Sequence, residues 1–178
     1  MKKSIAILGS TGSIGKSLID IIKKDKKNFE IILLTAHKNY KELLKQAIFF
    51  KVKNIIISDK KYYKIAVEDN LNKNIKIFNN YKVFKNIFKK KIDYSMSSIS
   101  GLGGLEPTLN IIKHTKKIAI ANKEAIICGW NLIESELKKY KTSFVPVDSE
   151  HFSIWKILKG NFPKNIDQIY LTASGGPL

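Results

Sequence analysis

The chain has 178 residues, of which 44% are hydrophobic and 26% are charged, and these ordinary globular values exclude a disordered chain and a collagen-like repeat. No apolar run approaches the roughly 18 uncharged residues that a membrane span needs, and one cysteine cannot build a disulfide framework. We therefore expect a cytoplasmic protein with no membrane partner, long enough for one domain and the start of a second, in which Cys128 is a small buried residue.

The formal net charge of +17 favours anionic partners, but the kind of basic residue argues against nucleic acid. All 32 basic residues are lysine, whereas sequence-specific recognition of nucleic acid relies on bidentate contacts from arginine. The lysines are also spread along the whole chain. We therefore expect no nucleic-acid partner. A polyanion binder, with steep salt dependence and no preference between nucleotides, remains an alternative.

Apolar runs alternate with lysine-rich amphipathic stretches over the first 140 residues. The predicted strands are 4–8, 31–36, 54–58, 75–78, 92–97 and 118–121. The predicted helices follow Gly15, cover 40–50, 60–70 and 81–89, begin near Pro107, and cover 123–140. Continuous apolar strands that alternate with helices predict an α/β fold, a Rossmann-like doubly wound parallel sheet.

Segments 144–148 and 169–173 are predicted strands of a second domain, and we place the boundary near residue 141. The residues after that boundary are too few for an independent core. The chain also stops directly after a predicted strand, with no terminal helix or polar tail. We therefore expect the second domain to be incomplete.

A glycine-rich segment, Gly9–Gly15, joins the first predicted strand to the first predicted helix. Glycines allow a tight turn that approaches a pyrophosphate, whose charge then lies at the helix N-terminus, and Thr11 and Ser13 add hydroxyl donors. The spacing is G-x-x-G-x-x-G, which differs from the usual dinucleotide fingerprint. The context favours a nucleotide site, and a glycine-rich turn without a ligand is the alternative.

The end of the second predicted strand bears on which nucleotide binds. An NAD site usually places a carboxylate there for the ribose 2′-hydroxyl. Here the strand is followed by His37-Lys38-Asn39, and Glu30 lies at its other end. A lysine at the position of a 2′-phosphate favours NADP, unless Lys38 is one more surface lysine.

The segment Asp148-Ser149-Glu150-His151 follows another predicted strand. On an extended segment Asp148 and Glu150 would point the same way, and two carboxylates suit Mg²⁺ or Mn²⁺. Alternatively, these acids cap a following helix over 152–158. The role of His151, as a ligand, an acid or base, or a packing residue, stays open.

Five segments taken together resemble one known family. They are Ile7–Gly15, Gly101–Leu109, Ala121–Glu124, Pro146–His151 and Thr172–Pro177. In this order they resemble the 1-deoxy-D-xylulose 5-phosphate reductoisomerase family, NADPH-dependent enzymes of the non-mevalonate isoprenoid route. Departures from the family pattern include His37, where glycine is common, which weakens the assignment of the cofactor edge.

The resemblance implies rearrangement and reduction of a sugar phosphate, 1-deoxy-D-xylulose 5-phosphate, with NADPH and Mn²⁺ or Mg²⁺ as cofactors. It implies an NADPH-binding domain over 1–140 and the truncated start of an α+β catalytic domain over 141–178. It also implies a homodimer at full length. The family's third metal carboxylate, lid and phosphate-binding residues lie further along, so we expect this chain to bind NADPH without turnover.

The resemblance also assigns site residues by motif. It assigns cofactor contacts to Thr11, Gly12, Ser13, Ile14, His37, Lys38, Asn39, Asn122 and Glu124. It assigns catalytic roles to Lys123 and Glu150, substrate contacts to Lys123, Ser149, Glu150 and Ser174, and metal ligation to Asp148 and Glu150. The alternatives are another NADP-dependent dehydrogenase, in which these acids are structural, and a non-catalytic NADP-binding fragment.

Overall fold

The computed structural model describes residues 2–158 and 166–170, with the side chain of Ser149 excepted. Seven strands occur within these residues: β1 (Lys3–Leu8), β2 (Phe29–Ala36), β3 (Asn54–Ile57), β4 (Lys76–Phe78), β5 (Tyr94–Ser97), β6 (Lys117–Ile120) and β7 (Ser143–Pro146). They form one sheet in the order β4-β3-β2-β1-β5-β6-β7, and all neighbouring strands are parallel. The predicted α/β class with a parallel sheet is confirmed.

Helices connect these strands. They are α1 (Ser13–Lys24), α2 (Tyr40–Phe50), α3 (Lys60–Asp69), α4 (Phe84–Ile87), α5 (Leu105–Ile112), α6 (Lys123–Tyr140) and α7 (Ser149–Leu158). Short 3₁₀ turns at Tyr81–Val83 and Leu102–Gly104 precede α4 and α5. The predicted helix over 81–89 is therefore a 3₁₀ turn followed by a short α-helix.

Both faces of the sheet are buried, which explains why its strands are continuous apolar runs. In β1, Ile5 and Ile7 pack into a core with α1, α2 and α3. The alternate residues Ala6 and Leu8 pack into a second core with α4, α5 and α6. Because successive side chains of a strand point to opposite faces, a single apolar strand supplies both cores.

The strand order reverses at β1, which lies between β2 and β5 at the centre of the sheet. In a doubly wound sheet, the loops that leave the carboxyl ends of the two strands at this point diverge and open a crevice. The loops after β1, β5 and β6 meet there, so the fold brings together segments that are far apart in sequence.

The segment 144–148, predicted as the first strand of a second domain, contains strand β7. Strand β7 pairs in parallel with β6 through Ile118 and Phe144, and it is the seventh strand of the same sheet. The sequence could not predict this pairing. A strand that follows a helix has the same apolar pattern whether it adds an edge to one sheet or begins another sheet. The division of the chain at residue 141 stays a prediction.

Three further expectations concern the strand at 169–173, the burial of Cys128 and membrane spans. Residues Ile169 and Tyr170 have no regular secondary structure, and the rest of the predicted strand 169–173 lies outside the described residues. The thiol-bearing Cys128 is exposed on α6 and not buried. Among the described helices, none has the length and apolar character that crossing a membrane requires.

Candidate functional site

The glycine-rich loop after β1 is held by hydrogen bonds to the neighbouring strand β2. The N–H of Gly9 donates to Thr35 Oγ1 at 2.9 Å, and the N–H of Ser10 donates to the Thr35 carbonyl, also at 2.9 Å. Gly9 has a φ of +83°, a conformation that favours glycine, and the N–H of Gly12 closes the turn onto the Gly9 carbonyl at 3.2 Å. The loop is therefore a tight turn anchored on β2.

Gly15 lets α1 begin directly against this turn. A Cβ atom on Gly15 would lie 2.3 Å from the Gly9 carbonyl oxygen and 2.6 Å from Ser10 Cα, so a larger residue would push the helix away. The N-cap residue Gly12 has no side chain to bond the first N–H groups of α1. These free donors and the helix dipole make the exposed start of α1, at Ser13 and Ile14, suited to an anion.

The three residues after β2 lie exposed at the same edge of the sheet. Ring nitrogen Nδ1 of His37 lies 2.9 Å from Ser58 Oγ on the neighbouring loop. The side chain of Asn39 accepts from the N–H of Glu42 at 3.3 Å and so caps α2. Lys38 forms no salt bridge with any residue that the structure describes. The charges of His37 and Lys38 add to backbone hydrogen bonds, chiefly from Tyr62, in holding the pKa of Asp59 below its ordinary value.

Asn122 has a structural role that its motif did not reveal. Its side chain is only 2% exposed, and its Nδ2 donates to the carbonyls of Gly101 at 2.7 Å and Ile99. Its Oδ1 accepts from the N–H of Ala125 at 2.8 Å and caps α6. A Cβ atom on Gly104 would lie 2.3 Å from Nδ2, so a glycine is required there. Asn122 therefore joins the loop after β5 to the start of α6.

One cleft of about 270 Å³ brings the separate motifs together. Its walls come from three loops at the carboxyl edge of the sheet: 12–14 after β1, 98–100 after β5 and 121–124 after β6. Five of the residues assigned to the cofactor line it, together with Lys123; they are Gly12, Ser13, Ile14, Asn122 and Glu124. The residues after β2, including Lys38, do not line this cleft.

Lys123 connects this cleft to the segment after β7. Its Nζ lies 3.8 Å from Oε2 of Glu150, and both side chains are about half exposed. Lys123 is the first residue of α6, and Glu150 lies in the first turn of α7. The two residues that the family resemblance assigns to catalysis are therefore neighbours.

The prediction that Asp148 and Glu150 lie on one extended segment is wrong, because α7 begins at Ser149 and not at 152. Oδ1 of Asp148 accepts from the N–H of His151 at 2.8 Å, in the manner of a helix N-cap, as the alternative interpretation expected. Ring nitrogen Nδ1 of His151 also lies 2.8 Å from the same oxygen. The imidazole of His151 therefore holds Asp148 in place.

Burial alone would raise the pKa of Asp148. Hydrogen bonds from the backbone and the side chain of His151, the charge of His151 and a smaller contribution of Glu150 outweigh burial, so the pKa lies below its ordinary value. Asp148 is thus a carboxylate at neutral pH. The carboxyl group of Glu150, in the first turn of α7, is close enough to Asp148 to influence its pKa. Together they offer hard oxygen ligands, which suit Mg²⁺ or Mn²⁺. Within the described residues no cluster of three or more acidic, histidine or cysteine side chains has metal-binding geometry.

Two assigned substrate contacts, the side chain of Ser149 and all of Ser174, lie outside the described residues.

Several residues at the site went unnoticed in the sequence. Ser98 donates from its hydroxyl to the Leu8 carbonyl at 2.8 Å, and Ser100 lines the cleft beside it. Tyr81 bonds Ser58 and Thr35, and Thr35 is the residue that anchors the glycine-rich loop. Burial raises the pKa of Tyr81, and these hydrogen bonds oppose that effect. The run of small polar residues after β5 was the available signal for the serines, whereas nothing local in the sequence points to Tyr81.

Comparison with known proteins gives a consistent family assignment. Residues 5–129 match the family model described as 1-deoxy-D-xylulose 5-phosphate reductoisomerase, and residues 144–178 match the model of its C-terminal domain. A 1-deoxy-D-xylulose 5-phosphate reductoisomerase of Pelagibacter ubique (strain HTCC1062) is 61% identical over 177 residues. The matched region covers 98% of this chain and 46% of that relative.

A second relative of the same name, from Wolbachia pipientis subsp. Culex pipiens (strain wPip), is 40% identical over 98% of this chain and 45% of its own length. The present chain therefore spans less than half of the length of these relatives.

Solved structures agree with these matches. The reductoisomerase from Zymomonas mobilis in complex with NADPH has a TM-score of 0.80 and 30% identity, over 88% of this chain and 41% of that chain. A DOX-P reductoisomerase in complex with NADPH, fosmidomycin and magnesium has a TM-score of 0.80 and 28% identity, over 89% and 40% of the two chains. With a family model matching most of its length and these relatives beside it, the chain belongs to the 1-deoxy-D-xylulose 5-phosphate reductoisomerase family.

Proposed function

We propose that these 178 residues form the NADPH-binding part, and the first metal-ligand segment, of an enzyme that converts 1-deoxy-D-xylulose 5-phosphate to 2-C-methyl-D-erythritol 4-phosphate. One observation carries the proposal. The cleft beside the glycine-rich loop is also lined by Lys123, and the ammonium group of Lys123 lies 3.8 Å from Glu150. A dinucleotide on the loop would thus lie next to the segment Asp148–His151, which we call the acidic segment.

NADPH is supported by features at two ends of the site. The start of α1 offers uncapped N–H groups for a pyrophosphate, with the hydroxyls of Thr11 and Ser13 beside them. At the other end, Lys38 and Asn39 offer a positive charge and an amide where an NAD site has a carboxylate. The NADPH-bound relative from Zymomonas mobilis, with its TM-score of 0.80, supports the same cofactor.

The acidic segment supplies the metal site in this proposal. Asp148 and Glu150 would hold Mg²⁺ or Mn²⁺, since both are hard oxygen ligands and they lie two residues apart at the start of α7. When bound, the ion stabilises negative charge on substrate oxygens and NADPH supplies a hydride. His151 fixes the orientation of Asp148 through its hydrogen bonds.

Lys123 has the geometry to orient the substrate. Its ammonium group stands between the cleft and Glu150, where it can attract an anionic sugar phosphate and bond one of its oxygens. Ser149 and Ser174 are proposed as further substrate contacts on the family resemblance. Such positioning contributes to catalysis by converting a bimolecular encounter into an oriented complex.

We further propose that the NADPH-binding domain covers 1–140 and that an α+β catalytic domain begins at 141, in a cytoplasmic homodimer. The match of residues 144–178 to the family's C-terminal domain supports that division. In the described part of the chain no third acidic, histidine or cysteine side chain joins Asp148 and Glu150 in a metal-binding group, so an ion there would take most of its octahedral shell from water. We therefore propose that the 178 residues alone bind NADPH without turnover.

A chimera tests the function directly. These 178 residues are joined to the remaining part of the Pelagibacter ubique relative, and NADPH oxidation is followed by its absorbance with Mn²⁺ and 1-deoxy-D-xylulose 5-phosphate. We expect metal-dependent oxidation by the chimera and none by the 178 residues alone. A chimera that is folded and binds NADPH, yet does not oxidise it with this substrate, would contradict the proposed activity. Turnover by the 178 residues alone would contradict the proposal that this part of the enzyme binds NADPH but does not catalyse the reaction.

A further inference from the structure

Gln46 is a buried polar residue on α2 that contacts the glycine-rich loop. Its side chain is 4% exposed, and its Nε2 donates to the Ser10 carbonyl at 3.2 Å and to Oε1 of Glu42 at 3.3 Å. Its own Oε1 has no hydrogen-bond partner among the described residues. Burying the Gln46 amide while its Oε1 has no hydrogen bond costs free energy, and an apolar side chain would avoid that cost. The presence of a glutamine here therefore points to a role for its bond to Ser10.

The bonded carbonyl belongs to the central peptide of a four-residue turn. The hydrogen bond from Gly12 N–H to the Gly9 carbonyl closes this turn, so the peptide between Ser10 and Thr11 lies at its middle. The common turn types differ in the direction of that central peptide. A side chain that bonds its carbonyl therefore selects one of the two directions.

The direction of this carbonyl sets the direction of the Thr11 N–H. A trans peptide is planar, so its carbonyl and its N–H point to opposite sides, and no described peptide bond is cis. With the Ser10 carbonyl turned inward to Gln46, the Thr11 N–H points outward. That N–H has no acceptor in the described part of the chain.

Gln46 does not hold the other end of the proposed cofactor site. Its Nε2 bonds the side chain of Glu42, whereas Asn39, at the end proposed for the 2′-phosphate, is bonded by the backbone N–H of Glu42. Loss of the Gln46 amide therefore leaves the bond at Asn39 in place.

We propose that Gln46 is a positioning residue, which holds the central peptide of the turn so that the Thr11 N–H donates to the pyrophosphate of the dinucleotide. This inference rests on the proposed NADPH site. Gln46 itself does not contact the ligand, and its effect is restricted to ligands that carry a pyrophosphate.

The test compares two ligands in the 178-residue chain by titration calorimetry. NADPH contains the pyrophosphate, whereas adenosine 2′-monophosphate contains only the 2′-phosphate end. Gln46→Met removes both hydrogen bonds at similar volume, and we expect about tenfold weaker NADPH binding with unchanged binding of adenosine 2′-monophosphate. Asn54→Leu is the matched control, because the Asn54 amide also bonds a backbone carbonyl, that of Ile32, far from the turn. We expect the control to bind both ligands as the unsubstituted chain does.

Unchanged NADPH affinity in Gln46→Met, or an equal loss for both ligands, would overturn the role of Gln46. Failure of the unsubstituted chain to bind NADPH would instead overturn the proposed function. If Gln46→Met does not fold, amide NMR of the unsubstituted chain decides. A Thr11 amide signal that shifts with NADPH and not with adenosine 2′-monophosphate supports the proposal, and equal shifts with both ligands overturn it.

Discussion

The ammonium nitrogen of Lys123 lies 3.8 Å from Oε2 of Glu150, which places the first residue of α6 beside the first turn of α7. Both side chains are about half exposed, and ion pairs of this kind contribute roughly 0–1 kcal/mol to stability. The contact therefore adds little to stability, and its importance is that it places the cleft beside the glycine-rich loop next to the segment Asp148–His151.

Replacing Lys123 should strengthen metal binding. Lys123→Met removes a positive charge close to Glu150, so a divalent ion would meet less repulsion there. We expect about two- to fivefold tighter Mn²⁺ binding, measured by calorimetry or electron paramagnetic resonance. Lys138→Met, on the same helix and paired with Glu134, is the control and should change nothing. Weaker Mn²⁺ binding in Lys123→Met would show that the lysine does not face the ion.

Substitutions of Asp148 separate its capping role from metal ligation. Asparagine is as good an N-cap as aspartate, so Asp148→Asn should keep the stability of α7 and lose most of the Mn²⁺ affinity. Asp148→Ala should lose that affinity and about 1 kcal/mol of stability as well, measured by thermal or urea unfolding. Retained Mn²⁺ binding in Asp148→Asn would leave capping as the only role of this residue.

The preference for the phosphorylated nucleotide should depend on Lys38. In Lys38→Glu a 2′-phosphate would face a like charge, at a cost on the order of 1–3 kcal/mol, so the chain should come to prefer NADH. Lys45→Glu makes the same change of charge at an exposed position on α2 and serves as the control. If both variants weaken NADPH binding equally, the effect is one of overall charge, and Lys38 has no specific role.

A second carboxylate, far from the site, should make stability depend on pH. The ammonium of Lys116, 2.8 Å away, and the backbone and hydroxyl of Ser4 hold the pKa of Asp93 well below its ordinary value. A depressed pKa stabilises the fold above the unfolded value of about 4, and this contribution is lost as pH falls below it. We expect Asp93→Asn to cost about 1 kcal/mol at neutral pH, with the difference shrinking under acid.

Urea unfolding at several pH values measures this difference. The matched control is Asp20→Asn, because Asp20 also pairs with a lysine, Lys23, but at a more exposed site. The control should have no measurable effect at any pH. A difference for Asp93→Asn that stays constant down to acid pH would exclude the carboxylate charge as its origin.

Most of the sheet could be predicted from the sequence because burial on both faces makes each strand an apolar run, as in Ile5–Leu8. The pairing of strand β7 with β6 could not be predicted, since the pattern of a strand contains no information about its pairing partner. Cys128 was misplaced for a similar reason. The buried stripe of α6 runs through Ala125, Gly129 and Ile133, and Cys128 falls just beside it.

The site was predictable where one motif contains the chemistry and less so where distant segments meet. The glycine-rich loop could be located from its glycines and from its place between a predicted strand and a predicted helix. By contrast, Asn122 bonds the carbonyls of Ile99 and Gly101, more than 20 residues earlier, and Gln46 bonds Ser10 at a separation of 36. Such contacts depend on the strand order, and no local pattern encodes them.

The most direct test of the central claim is a calorimetric titration of the 178-residue chain with NADPH and, separately, with NADH. The uncapped start of α1 should bind the pyrophosphate of both, whereas Lys38 and Asn39 should favour the one with a 2′-phosphate. We expect saturable binding at one site per chain, with NADPH at least about tenfold tighter than NADH. Equal affinity for the two nucleotides, or no binding of either, would contradict the assignment of this cleft as an NADPH site.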